Sequence, residues 1–124
     1  MELNIRDIKK NYIMGKIESI RQFLAKREGK TENPKGSNNI DCNTWFYGKE
    51  VSGDAFPWCV VEIVHAFFKT GNGSLIKKTA SSSDLYRYYS SKNQIVKSPK
   101  AGDIVFFKFS IFSFKTLHSA PLPS

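Results

Sequence analysis

Cysteine is scarce in this chain. Only two of its 124 residues are cysteines, Cys42 and Cys59. Two thiols are too few for the disulfide framework that holds small secreted proteins together. The sequence also has no CxxC pair and no paired cysteine–histidine spacing of the zinc-binding kind. Asp41 and Asp54 are too isolated to form a calcium loop. We therefore expect no metal and no cofactor.

Long apolar segments are also missing. The first seven residues lack the apolar run of a signal peptide. No stretch is long and apolar enough to span a membrane. The sequence therefore predicts a protein that is synthesised in the cytoplasm without a signal peptide and does not insert into a membrane. With 124 residues it forms one small domain, which we expect to be monomeric.

Acidic residues are outnumbered by basic ones. The chain has 19 Lys and Arg against 11 Asp and Glu, a net charge of +8 and a pI near 9.6. Such a charge attracts polyanions, whether nucleic acid, anionic lipid or an acidic cell-wall polymer, and does not choose among them. No helix-turn-helix, zinc or arginine-rich pattern accompanies the charge. We therefore expect no nucleic-acid partner.

Apolar spacing predicts three helices. The first, over residues 10–28, has apolar residues at steps of four, three and four: Ile13, Ile17, Ile20 and Leu24. The second, over residues 57–69, is apolar nearly all round and is predicted to be the buried central helix. The third, over residues 84–89, follows three serines that suit a helix cap.

The remaining segments predict loops and strands. Residues 30–43 are polar and rich in turn formers, which indicates a loop. Gly48 ends an aromatic run and permits either a close backbone approach or a positive φ. Residues 104–109 are β-branched and aromatic and predict a strand, and residues 111–117 are a candidate for a second one. Residues 118–124 show no periodicity.

Cys59 lies where the central helix is predicted to begin, after Pro57 and Trp58. Proline suits the first helical position because its φ is already helical and its missing N–H needs no partner. A thiol in the first turn lies near the positive end of the helix dipole, which favours the nucleophilic thiolate. Cys59 is therefore the candidate nucleophile, and the alternative is a small buried apolar residue. Cys42, in the polar segment, is expected to be an exposed thiol without a role.

Four segments occurring in order resemble the CHAP family, the cysteine, histidine-dependent amidohydrolase/peptidase domains of phage endolysins and bacterial wall hydrolases. The segments are Gly36-Ser37-Asn38-Asn39, Asn43-Thr44-Trp45-Phe46-Tyr47-Gly48, Phe56-Pro57-Trp58-Cys59 and Pro99-Lys100-Ala101-Gly102-Asp103-Ile104-Val105-Phe106-Phe107. The resemblance covers roughly residues 12–109. It divides the chain into an N-terminal extension (1–9), a CHAP-like domain (10–109) and a divergent C-terminal tail (110–124).

The resemblance implies an α+β, papain-like fold in which N-terminal helices pack on a small antiparallel sheet. It also implies a peptidoglycan hydrolase with Cys59 as nucleophile, either an N-acetylmuramoyl-L-alanine amidase or an endopeptidase, with peptidoglycan as its partner. The thiolate attacks the amide carbonyl, an imidazolium protonates the leaving amine, and water releases the acyl-enzyme. His118 follows the predicted strand at the place where the family carries its histidine, so it is the candidate general base.

The sequence departs from the family pattern after His118. Ser119-Ala120-Pro121 follows, and a proline there would interrupt a central strand. No Asp, Asn, Glu or Gln comes later to orient the imidazole. We therefore expect an incomplete sheet in a domain that resembles a C-terminally truncated one. The alternative function is a catalytically inactive remnant that at most binds cell wall, and a basic nucleic-acid-binding domain is a third, less favoured one.

Five other side chains need an interpretation. His65 is six residues past Cys59, about 240° round the helix and roughly 9 Å along it, so it is expected to be a partly buried residue with a structural partner. Glu62 either raises the pKa of the nearby thiol or pairs with a surface lysine, and we favour the lysine. Trp58 and Tyr47 are candidates for substrate binding. Trp45 is expected in the core.

Overall fold

The computed structural model describes residues 5–98, 100, 102–106 and 112–114, with the backbone alone for residues 5–14 and 112–114. Within these residues, four α-helices are followed by an antiparallel pair of strands. The helices are α1 (Ile5–Lys26), α2 (Asp41–Tyr47), α3 (Cys59–Lys69) and α4 (Ser82–Ser91), with a short 3₁₀ helix at Gly73–Leu75; the strands are β1 (Ile104–Phe106) and β2 (Phe112–Phe114).

Helix α1 is longer at its start than the sequence predicts. It begins at Ile5, inside the segment expected to be an extension, and ends at Lys26 rather than at residue 28. A turn follows in which Gly29 has a φ of 85°, a value that glycine adopts without strain. Although α1 has 22 residues, neither it nor any other described helix is apolar enough to cross a lipid bilayer.

Helix α2 lies where a loop was predicted, so that prediction is wrong for residues 41–43. Its seven residues are too few to show an apolar repeat, and Ile40 at its N-cap offers no capping side chain. Gly48 ends it with a φ of 74° and donates its N–H to the Thr44 carbonyl at 2.9 Å. The positive φ expected of Gly48 is confirmed as a left-handed helix cap.

Helix α3 is the central helix, as predicted. It contacts α1, α2, the 3₁₀ helix and β2. Its buried residues lie on all sides: Val60, Val61, Ile63, Val64, His65, Ala66 and Phe67. One expectation is wrong, because Pro57 lies outside the helix and Trp58 is the N-cap, so Cys59 is the first helical residue.

Two groups of buried apolar side chains hold the helices together. The main group joins α1, α3 and α4: Ile20, Val60, Ile63, Val64, Ala66, Phe67, Ile76 and Leu85. A smaller group consists of Ile40, Cys42 and Val61. Cys42 is fully buried there, so the expected exposed thiol is wrong. Burial is the ordinary location for a free cysteine, which packs as a small apolar side chain.

The C-terminal half follows the sequence pattern in outline. Ser81 caps α4, and its hydroxyl oxygen accepts the Asp84 N–H at 3.1 Å, as the serine run predicted. Strand β1 pairs antiparallel with β2, and Ile104 lies opposite Phe114. Strand β2 falls within the second predicted strand. Residues 107–109, the end of the first predicted strand, lie outside the described residues.

Arg27 joins the first three helices through one guanidinium group. Its Nε and Nη2 donate to the carboxylate of Glu62 on α3. Its Nη1 and Nη2 donate to Asp41 at the start of α2, at 2.9 and 2.7 Å. The Arg27 and Glu62 side chains are only 12% and 16% exposed. The poorly hydrated Glu62 carboxylate depends on Arg27, because removing Arg27 would leave it with little water and no counter-ion among the described residues.

We predict that Arg27→Ala lowers the free energy of unfolding by about 2–3 kcal/mol, because Glu62 then keeps a largely buried charge without its partner. Urea denaturation measures this change. Arg21→Ala is the matched control. Its pair with Glu18, at 2.5 Å, lies on the surface of α1 with side chains 31% and 36% exposed, so the loss should be much smaller than in Arg27→Ala. Equal losses in the two variants would contradict the role given to Arg27.

Candidate active site

The candidate nucleophile is the first residue of the central helix. Cys59 is partly exposed and packs against the main apolar group. The backbone N–H groups of Val60 and of Cys59 itself interact with its sulfur. These N–H groups belong to the first turn of α3, where they have no carbonyl partner inside the helix. The predicted position of the thiol at a helix start is therefore confirmed.

The predicted activation of that thiol is not found among the described residues. Burial raises the pKa of Cys59, and the N–H groups of Val60 and Cys59 lower it by less than burial raises it. No charged side chain in the described part of the chain contributes to the shift. The thiol therefore stays protonated near neutral pH unless a base is brought to it.

The structure describes His65 but not His118. His65 is buried, with its ring 5.5 Å from the Phe23 ring and 5.1 Å from the Trp45 ring. Its Nδ1 has no hydrogen-bond partner among the described residues. Burial, and after it the charge of Arg27, lowers the pKa of His65. His118, the candidate base, lies outside the described residues.

Glu62 acts on the other cysteine. The expected lysine partner is wrong, because Arg27 binds the Glu62 carboxylate. Burial first and Glu62 second raise the pKa of Cys42. Glu62 is not among the causes of the shift at Cys59. Burial, with the carboxylate as the second cause, therefore keeps Cys42 protonated, and the carboxylate does not shift the pKa of the candidate nucleophile.

Asn43 holds the segment that leads to Cys59, a role that the sequence did not reveal. Its side chain is fully buried, and its Nδ2 donates to the carbonyls of Asn38 and Phe56, both at 2.9 Å. Its Oδ1 has no partner among the described residues. Because Phe56 lies three positions before Cys59, helix α2 fixes the approach to the helix that carries the thiol.

Helix α2 also places the two predicted substrate-binding residues. The Tyr47 ring lies 5.0 Å from the Phe56 ring and 4.9 Å from the Phe46 ring. Trp58 is partly buried against the group formed by Ile40, Cys42 and Val61. Both side chains thus flank the segment before Cys59, and their binding of substrate stays a prediction. Trp45 packs against the main core group, as expected.

The cavities that border the described residues include the following two. The larger, of about 930 Å³, lies between α4 and β1, with walls that include Phe67, Tyr86, Tyr89, Ile104 and Phe106. The smaller, of about 700 Å³, lies beside α2, with walls that include Lys30, Thr44, Trp45 and Glu50. Cys59 lines neither of them. Within the described part of the chain, no three His, Cys, Asp or Glu side chains group together as metal ligands would.

Because the His65 imidazole is buried, we predict that the stability of the protein depends on pH. Because the pKa of His65 is lowered in the folded protein, the unfolded chain takes up its proton first as the pH falls below about 6.5. The stability that His65 contributes is therefore complete well above that pH and is lost as the pH falls through it, so the range to test runs from about pH 7 down to about pH 5. Urea denaturation across this range should show the decline in the wild type and a weaker one in His65→Phe.

The pH dependence that Asp41 adds to the stability falls outside this pH range. Arg27 lowers the pKa of Asp41 well below its usual value, so the stability that Asp41 contributes is lost only at more acidic pH. The control is Asp84→Asn, because Lys77 lowers the pKa of Asp84 and Asp84 does not contribute to the pKa shift of His65. Its slope between about pH 7 and about pH 5 should be unchanged. An identical slope in the wild type and His65→Phe would show that His65 is not the group responsible.

The chain matches no family model, no curated protein and no solved structure. The resemblance to CHAP domains therefore rests on the sequence segments that carry it. The position of Cys59 at the start of α3 and the segment held by Asn43 are the physical basis for a functional proposal.

Proposed function

We propose that this chain is a peptidoglycan hydrolase that uses Cys59 as its nucleophile. Its substrate would be the amide that joins muramic acid to its peptide, or a bond within that peptide. The observation that carries the proposal is a partly exposed cysteine at the first residue of a buried helix. The same N–H groups that interact with the sulfur are candidates to stabilise the oxyanion that forms on the attacked carbonyl.

The proposed mechanism needs a base that the described residues do not supply. We assign this role to His118, which in the sequence comes four positions after Phe114, the last residue of β2. Strand β2 contacts α3, the helix that carries Cys59, and this contact supports the assignment. The imidazole would take the thiol proton and pass it to the leaving amine, and water would then release the acyl-enzyme.

The net charge of +8 supports a wall substrate, because acidic wall polymers attract a basic protein. The site of action would be the cell wall after release from the cytoplasm. The pKa of Cys59 favours a second candidate, an inactive protein that binds wall without cutting it. Burial raises this pKa, and no described cation opposes the effect.

Hydrolysis of purified peptidoglycan separates the two candidates. We predict that the wild type reduces the turbidity of a wall suspension and that Cys59→Ser reduces the rate by at least about a hundredfold. Cys42→Ala is the matched control, since it removes the buried thiol that no part of the mechanism uses, and it should keep the activity. Newly exposed amino groups in the soluble products would identify the cut bond as an amide.

The contrary outcomes are distinct. If neither the wild type nor Cys59→Ser clears the suspension but both sediment with the walls, the chain is the inactive binder. Equal activity in the wild type and Cys59→Ser would remove Cys59 from the mechanism. Loss of activity in Cys42→Ala with an unchanged circular dichroism spectrum would show that Cys42, which the mechanism leaves out, is needed for activity.

A further inference from the structure

A lysine side chain lies over three aromatic rings on the surface formed by α2 and α3. The Lys78 Nζ is 5.0 Å from the centre of the Trp45 ring, 5.6 Å from that of Phe46 and 5.7 Å from that of Phe68. All three distances are within the roughly 6 Å over which a ring face attracts a cation. We call these three rings the aromatic cage.

The cage is held in shape by its surroundings. The Trp45 ring is tilted by 60° to Phe46 and by 54° to Phe68, so the rings present angled faces rather than one flat stack. Phe68 lies against the backbone of Gly73, where an added Cβ would come within 2.6 Å of the ring. Since no side chain fits between them, the Phe68 ring has no room to move toward Gly73. A site whose walls are already in place loses little entropy on binding.

Lys78 differs from its neighbour in the way its charge is satisfied. Lys77 forms an ion pair with Asp84 at 2.9 Å. Among the described residues Lys78 has no ion pair, and its ammonium group lies over the three rings instead. Lys78 is exposed, and Phe68 is 37% exposed. The ammonium therefore occupies the cage from the solvent side and can leave it without breaking a salt bridge.

We propose that the aromatic cage is a binding site for an external quaternary ammonium group and that Lys78 occupies it until such a ligand displaces the lysine. A lysine ammonium is compact and strongly hydrated, so water competes with the rings for it. A quaternary ammonium is the cation that aromatic cages typically recognise. This site is independent of the proposed hydrolysis, because none of its residues takes part in that mechanism.

The probe is choline, titrated into the full-length chain while the indole N–H signals of Trp45 and Trp58 are followed by NMR. We expect saturable shifts at Trp45, in the millimolar range, with little change at Trp58. The matched ligand is the uncharged tert-butyl analogue of choline, in which carbon replaces the quaternary nitrogen. It has nearly the same shape without the charge, so it should bind at least about threefold more weakly.

Three variants test the cage and its lysine. Lys78→Ala should tighten choline binding about three- to sixfold, because it removes the internal competitor. Lys92→Ala is its control, since Lys92 lies 4.4 Å from the ring centre of Tyr88 and not over the cage, and it should leave the affinity unchanged. Phe68→Leu keeps an apolar side chain but removes a ring face, and it should weaken binding at least about threefold.

The proposal is overturned if choline and its uncharged analogue bind equally, because the rings would then offer only an apolar surface. It is also overturned if choline causes no shift at Trp45 in either the wild type or Lys78→Ala. An unchanged affinity for choline in Lys78→Ala would show that Lys78 does not compete with the ligand. Each variant is first compared with the wild type in thermal unfolding, so that a loss of folding is not mistaken for a loss of binding.

Discussion

The structure depends on the burial of helix α3. This helix contacts α1, α2, the 3₁₀ helix and strand β2, so each of these elements is positioned by its contact with one helix. Burying a large aliphatic side chain contributes about 1.5–3 kcal/mol, and seven consecutive or nearly consecutive residues of α3 are buried. The polar contacts of Arg27 and Asn43 then determine how the flanking helix and loops lie on this core.

Helix α3 and the cap of α4 could be predicted because their signals are local. A continuous apolar run indicates a buried helix, and serine before a short helix indicates its cap. Helix α2 could not be predicted in the same way, since seven residues give no periodicity. The partner of Glu62 was missed for another reason. Arg27 is 35 residues away in the sequence, and no local rule chooses between it and a surface lysine.

The thiol shows how two local effects compete. A helix start favours the thiolate, but a charge near a helix end typically gains only about 0.3–1 kcal/mol. Burial opposes ionisation and shifts the pKa of fully buried groups by up to about 3–5 units. Cys59 is only partly buried, yet the pKa rises, so burial is the larger effect among the described residues. The position of the nucleophile could be read from the sequence, whereas its protonation state depends on packing that the sequence pattern does not specify.

The side chain of Asn43 connects two loops through its amide nitrogen alone. Both bonds, to the carbonyls of Asn38 and Phe56, use its two N–H protons. An aspartate has the same size and shape but no proton to donate when ionised. Deamidation of this one residue during storage would therefore turn two attractions into two repulsions without altering the volume of the side chain. Such chemical ageing would loosen the chain just before Cys59 while the apolar core stayed intact.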